Sequence, residues 1–140
     1  MTVPQTTLTA LTSAAHAALE KQAENILAVD VAERIGLTDA FLIASAPSER
    51  QVNAIVDEIE DVLREEHDLK PLRREGRAEG RWVLLDFGHF VVHVQHDEER
   101  AFYALDRLWK DSPLIDLGLP AAVSAPTDQV GTTDQESAQA

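Results

Sequence analysis

The residues with the most chemical potential lie in one stretch, LLDFGHFVVHVQHDEER, at positions 84–100. It holds Asp86-Phe87-Gly88, a tripeptide that binds magnesium in kinases, and three histidines, His89, His93 and His96, enough donors for a metal. A kinase also needs a glycine-rich loop over the phosphates, a strand lysine and an upstream H-R-D loop, and the chain has none of them. Asp86 and Gly88 are better read as a turn between two strands, where glycine tolerates positive φ and aspartate hydrogen-bonds the local backbone. The histidines fail on geometry: along a strand His89 and His93 share parity but stand ~13 Å apart at ~3.3 Å per residue, and His96 has the opposite parity. They cannot converge on one ion without a bulge. His93 is instead expected as a satisfied or half-exposed residue among valines.

Other chemistry is equally bare. A G-x-S-x-G elbow, a P-loop and a G-x-G-x-x-G are missing, and none of the 25 acidic residues is singled out as a catalytic pair. Zero cysteines exclude disulfides, thiolate zinc sites and cysteine nucleophiles. No catalytic residue, metal or cofactor is therefore expected.

The elements that must position this stretch follow from hydrophobic period. Residues 6–22 carry Leu8, Leu11, Ala15, Ala18 and Leu19 at helical spacing, and the small side chains predict weak docking. Strands are expected near 26–31 and 41–44, separated by a turn at Gly36 and Asp39. From Ser48 the pattern is strongly helical: Ser48 can cap, Gln51 completes a capping box, and Val52, Ile55, Val56, Ile59, Val62 and Leu63 form one stripe. Three short strands follow at about 71–74, 81–86 and 90–95, punctuated by Gly76, Gly80 and Gly88. A final helix is expected from an Asp97 cap, with Ala101, Phe102, Leu105, Leu108 and Trp109 facing inward. The order α-β-β-α-β-β-β-α predicts an α/β layer structure with a mixed five-stranded sheet flanked by helices. One domain is expected over 1–112. Residues 113–140 are expected as a disordered tail, because beyond Leu119 the sequence has too little apolar surface to offset chain entropy.

Charge narrows the partners. A net charge of -13 argues against gripping nucleic acid along its backbone and favours a basic protein partner. Positions 57–68 hold seven acids against Arg64, whereas 70–81 hold five bases (Lys70, Arg73, Arg74, Arg77 and Arg81) against two acids. Such a dipolar surface can orient a partner or pair with itself. No apolar run is long enough to span a membrane and residues 1–21 lack the basic and continuous apolar regions of a signal peptide, so a cytoplasmic location is expected. On the strand at 81–86, Val83 and Leu85 share one face and Trp82, Leu84 and Asp86 the other; if the first pair faces the helices, the second set is left for binding. Trp, Tyr and Arg dominate binding hot spots, and Tyr103 and Arg100 lie off the expected inward stripe of the last helix.

Three stretches, ILAVDV, TDAFLIASAPSERQVNAIVDEIE and PLRREGRAEGRWVLLDFGHFVVHVQHDEERAFYALDRLW, together resemble the Iojap-related ribosomal silencing factors, the RsfS family. The resemblance covers roughly residues 8–112 and rests on a D-x-G turn, then VVHV, then R-x-F-Y-x-L-x-x-L-W. His89 departs from the acidic residue expected in that turn. The resemblance implies a nucleotidyltransferase-like fold without its catalytic G-S and D-x-D motifs. It implies a non-enzymatic translation repressor that binds large-subunit ribosomal protein L14 at the intersubunit face and blocks association of the 30S and 50S subunits when nutrients are limiting. A homodimer is implied for the free protein. The alternatives are a large-subunit biogenesis adaptor and a degenerate nucleotidyltransferase. Trp82, Leu84, Asp86, His93, Arg100 and Tyr103 are expected to line or support the docking face.

Overall fold

The structure is a computed structural model that describes residues 3–120. Its strands are β1 (Glu24–Asp30), β2 (Ala40–Ala46), β3 (Arg73–Glu75), β4 (Trp82–Asp86), β5 (Phe90–His96) and β6 (Leu114–Ile115). They form one mixed sheet in the order β3-β4-β5-β2-β1-β6, with β2 parallel to β5 and the other neighbours antiparallel. The α/β class stands, with a sixth strand added. Leu114 and Ile115 pair with Val29 and Ala28, and Leu117 is buried, so 113–120 belong to the folded body and not to a tail. The reason is the exposed edge of β1, which an apolar Pro-Leu-Ile segment can cover although it is too short to read as a strand. The rest of the expected tail, 121–140, lies outside the described residues.

Helix α3 (Glu49–His67) forms as its stripe demands. Val52, Ile55, Val56, Ile59 and Leu63 are each fully buried, and each such side chain contributes about 1.5–3 kcal/mol before entropy is counted. Ser48 caps it by accepting from the Gln51 amide, but the Gln51 side chain does not close the box. It donates instead to the carbonyls of Lys21 and Gln22, tying α3 to the turn that precedes β1.

Helix α1 (Gln5–Glu20) corrects the expectation of weak docking. Leu11, Ala14, Ala15 and Ala18 have no exposed surface, because small side chains bring the helix close to α3 and the sheet. Ser13 Oγ and His67 Nε2, 2.8 Å apart, link the two helices. Together α1 and α3 cover one sheet face: Ile26, Ala28, Leu42, Ala44, Val83, Leu85, Val92 and Val94 all lie in their core.

The dipolar charge pattern resolves as self-pairing. Arg74 holds Glu60 with two 2.8 Å bonds, Arg77 reaches Asp57 at 2.8 Å, and Arg81 gathers Glu49, Glu98 and Glu99 within 3.2 Å. The basic loop thus lies against acids of α3 and of the next helix.

The C-terminal helix departs most from expectation. It is two short helices, α4 (Asp97–Tyr103) and α5 (Leu105–Leu108), separated by Ala104 in the left-handed conformation at φ 51°. His96, not Asp97, caps α4, its Nδ1 accepting from the Glu98 amide. Phe102 and Leu108, expected inside, are 80% and 63% exposed. Arg100, expected outside, is 2% exposed and donates two 2.9 Å bonds to Asp106, another to the Asn25 carbonyl and another to Ser45 Oγ. Residues six apart in a continuous helix point about 120° away from each other, so a bidentate pair between 100 and 106 requires the break.

Two stability effects follow. Ala14→Leu should cost about 1–3 kcal/mol in urea unfolding by overpacking the α1 contact, whereas weak docking would leave it neutral. Asp106→Ala should cost about 3–5 kcal/mol because it strands a buried guanidinium, and a change below 1 kcal/mol would show that the pair is dispensable.

Candidate functional site

The second sheet face is covered only in part. At the β1 end Leu27, Val29 and Val31 pack with Ile35, Phe41 and Trp109. Two short helices supply this cover: α2 (Ala32–Ile35), which leads into the expected turn at Gly36 and Asp39, and α5 with the Trp109 that follows it. Towards β4 the face opens, and the burial alternation along β4 shows it: Val83 and Leu85 are fully buried, while Trp82, Leu84 and Asp86 are only partly so.

On this face the structure brings together five of the six expected residues. Trp82 donates its indole N–H to His93 Nδ1 at 3.1 Å and packs its ring 4.8 Å from Tyr103. Leu84 and Asp86 pair in register with His93 and Val91 of β5. Arg100 is the exception, being buried beneath α4 as a strut.

Sequence reasoning missed Phe41, Leu72, Val91 and Trp109. Phe41 meets His93 edge-on at 4.8 Å and Trp109 at 5.4 Å, so that Phe102, Tyr103, Trp82, His93, Phe41 and Trp109 form one chain of ring contacts. Arg34 closes it, its guanidinium 5.4 Å from the Trp109 ring. Beside this strip Phe41, Leu72, Leu84, Asp86, Val91 and His93 line a groove, with Leu37 at its rim 90% exposed. The parity of β2 and β5 could have placed Phe41 and Val91 on the Trp82 face, but strand adjacency was needed to join them.

The opening tripeptide is a turn. Asp86 Oδ1 accepts from the Gly88 amide at 2.8 Å, Gly88 has φ 89°, and the Phe87 amide donates to the Phe90 carbonyl. The three histidines have three separate settings. His89 is exposed beside Asp39, His96 caps α4, and His93 is buried. Among the described residues one set of possible metal ligands converges, His96, Glu98 and Glu99, within 4.8 Å, and Arg81 already pairs with both glutamates.

Burial lowers the His93 pKa from 6.5 to about 4, so the ring is neutral near pH 7. Because an indole N–H only donates, Nδ1 must be the bare nitrogen and the ring proton sits on Nε2. The folded pKa lies below the unfolded one for a base, so acid favours the unfolded chain. As pH falls from 6.5 to about 4, His93 should remove about 3 kcal/mol of stability, and His93→Phe should flatten that part of the pH–stability curve in urea titrations. An unchanged slope would mean that His93 is solvated.

This half-open face presents aromatic and aliphatic side chains beside the groove. The family model described as "Ribosomal silencing factor during starvation" matches residues 4–140. The chain is 46% identical over 104 residues to the ribosomal silencing factor RsfS of Bacillus subtilis, covering 74% of this chain and 87% of that protein. It is 28% identical over 92 residues, 64% of this chain and 40% of the other, to a mouse protein named mitochondrial assembly of ribosomal large subunit protein 1. A crystal structure of a Bacillus halodurans protein superposes with a TM-score of 0.66 at 40% identity, covering 76% of this chain and 95% of that one. The fold and these matches converge: the chain belongs to the RsfS family of ribosomal silencing factors.

Proposed function

We propose that this protein docks its half-open sheet face on large-subunit ribosomal protein L14 at the intersubunit face, and that its bulk then blocks association of the 30S and 50S subunits, repressing translation under nutrient limitation. The observation that carries the reading is the continuous strip of Tyr103, Trp82, His93 and Phe41 beside the Leu72–Leu84–Val91 groove, in a chain of this family. Aromatic anchors in desolvated settings supply most of the binding energy of an interface. The net charge of -13 orients the encounter with a basic ribosomal protein. The role is non-catalytic and cytoplasmic, needing no cofactor. Off the ribosome the same strip is shielded by a second copy, as a homodimer.

The name of the mouse relative favours a second reading, an adaptor for large-subunit assembly that binds without impeding subunit joining.

Light scattering of mixed subunits separates the two readings. Excess protein should suppress the scattering rise on mixing; a normal rise with the protein still bound would select the adaptor. Replacing Trp82 and Tyr103 with Ala should weaken co-sedimentation with large subunits by roughly 30-fold or more, about 2 kcal/mol, while far-UV circular dichroism stays unchanged. Undiminished co-sedimentation would discard this face.

A further inference from the structure

Two polar side chains under the aromatic strip are buried at a cost that folding does not explain. Gln95 is fully buried, and among the described residues nothing hydrogen-bonds either its amide nitrogen or its amide oxygen. His93 is 6% exposed, and its Nε2 likewise has no partner. The two lie on the same face of β5, two residues and ~6.6 Å apart along the strand.

Sheet register places Gln95 between Trp82 on β4 and Ser45 on β2. Above this part of the sheet α4 sets Arg100 against Ser45 and Tyr103 against Trp82. Arg100 spends its bonds on Asp106, Asn25 and Ser45, which leaves Gln95 unserved. A buried polar group without a partner destabilises the folded chain, and an apolar residue of the same shape would avoid the cost. Such frustration held at a binding surface points to function.

We propose that His93 and Gln95 are specificity-determining residues of the docking face, hydrogen-bonding a polypeptide segment of the partner once Tyr103 lifts away from Trp82. The inference rests on the docking role proposed above. His93 Nε2–H offers a donor, and the Gln95 amide offers donors and an acceptor. That combination, walled by aromatic rings, matches the alternating carbonyl and amide groups of a peptide backbone. A nucleic-acid occupant fits poorly: the chain is strongly acidic, and Arg73, Arg74, Arg77 and Arg81 are all engaged by its own carboxylates. Tyr103 is suited to moving, being half-exposed and the last residue of the seven-residue α4.

The test uses the near-isosteric apolar variants Gln95→Met and His93→Phe in the full chain. Gln95→Met should raise the thermal midpoint of the free protein at pH 7 by about 4 °C, whereas His93→Phe, which also removes the acceptor of the Trp82 indole N–H, is read by binding alone; each should weaken binding to purified large subunits at least tenfold. A Gln95→Met chain less stable than the parent, or one that fails to fold, would show that the Gln95 amide is satisfied in the free chain and would overturn the proposal. Unchanged affinity would overturn it too. Cross-linking from a photoreactive group at Phe102 to ribosomal RNA instead of protein would overturn the polypeptide assignment. Failure of the unmodified chain to bind large subunits would refute the ribosomal reading, and the stability measurement would still decide whether Gln95 burdens the free protein.

Discussion

A six-stranded sheet has two faces to shield, and the helices of this chain suffice for one of them and part of the other. The two long helices, α1 and α3, lie side by side on one face, where alanines on α1 allow close approach and the branched stripe of α3 fills the space above the sheet. What is left is short: four residues of α2, seven of α4 and four of α5. Of these, α2 and α5 cover the β1 end of the second face, and α4 lies over β2 and β5 and meets β4 through Tyr103 against Trp82. The partly exposed aromatic strip therefore lies where the helical cover of the described residues thins.

Holding the short pieces in place falls to Arg100. Its guanidinium reaches across the break at Ala104 to Asp106, and from there to the backbone of β1 and the Ser45 hydroxyl of β2. A buried ion pair is a weak source of net stability but a strong source of geometry, since any other arrangement leaves a charge uncompensated. Here it holds Ala104 in a left-handed conformation that costs about 1–2 kcal/mol, and through it the positions of Tyr103 and Trp109, which flank Trp82, His93 and Phe41 in the aromatic chain.

The charge distribution has a related logic. Segment 70–81 carries four of the nine arginines, yet its side chains turn back on Asp57, Glu60, Glu49 and the start of α4. These pairs are largely exposed and contribute little individually. Their effect is to occupy the cations of this segment, while the chain as a whole keeps its net charge of -13.

Much of this was legible in the residues. The period of α3, the alternation along β4 and the D-F-G turn each depend on neighbours within a few positions, and each formed as the local pattern requires. The absence of catalytic motifs and the family resemblance also needed no coordinates. The break in the last helix, the burial of Arg100, the sixth strand and the joining of Phe41 to Trp82 through His93 did need them. Arg100 finds Ser45 and Asn25 at separations of 55 and 75 residues, and β6 finds β1 across nearly the whole domain. Local periodicity registers which side chains are apolar, but a polar side chain goes inside only when distant groups meet its hydrogen bonds, and that is decided when the chain closes on itself.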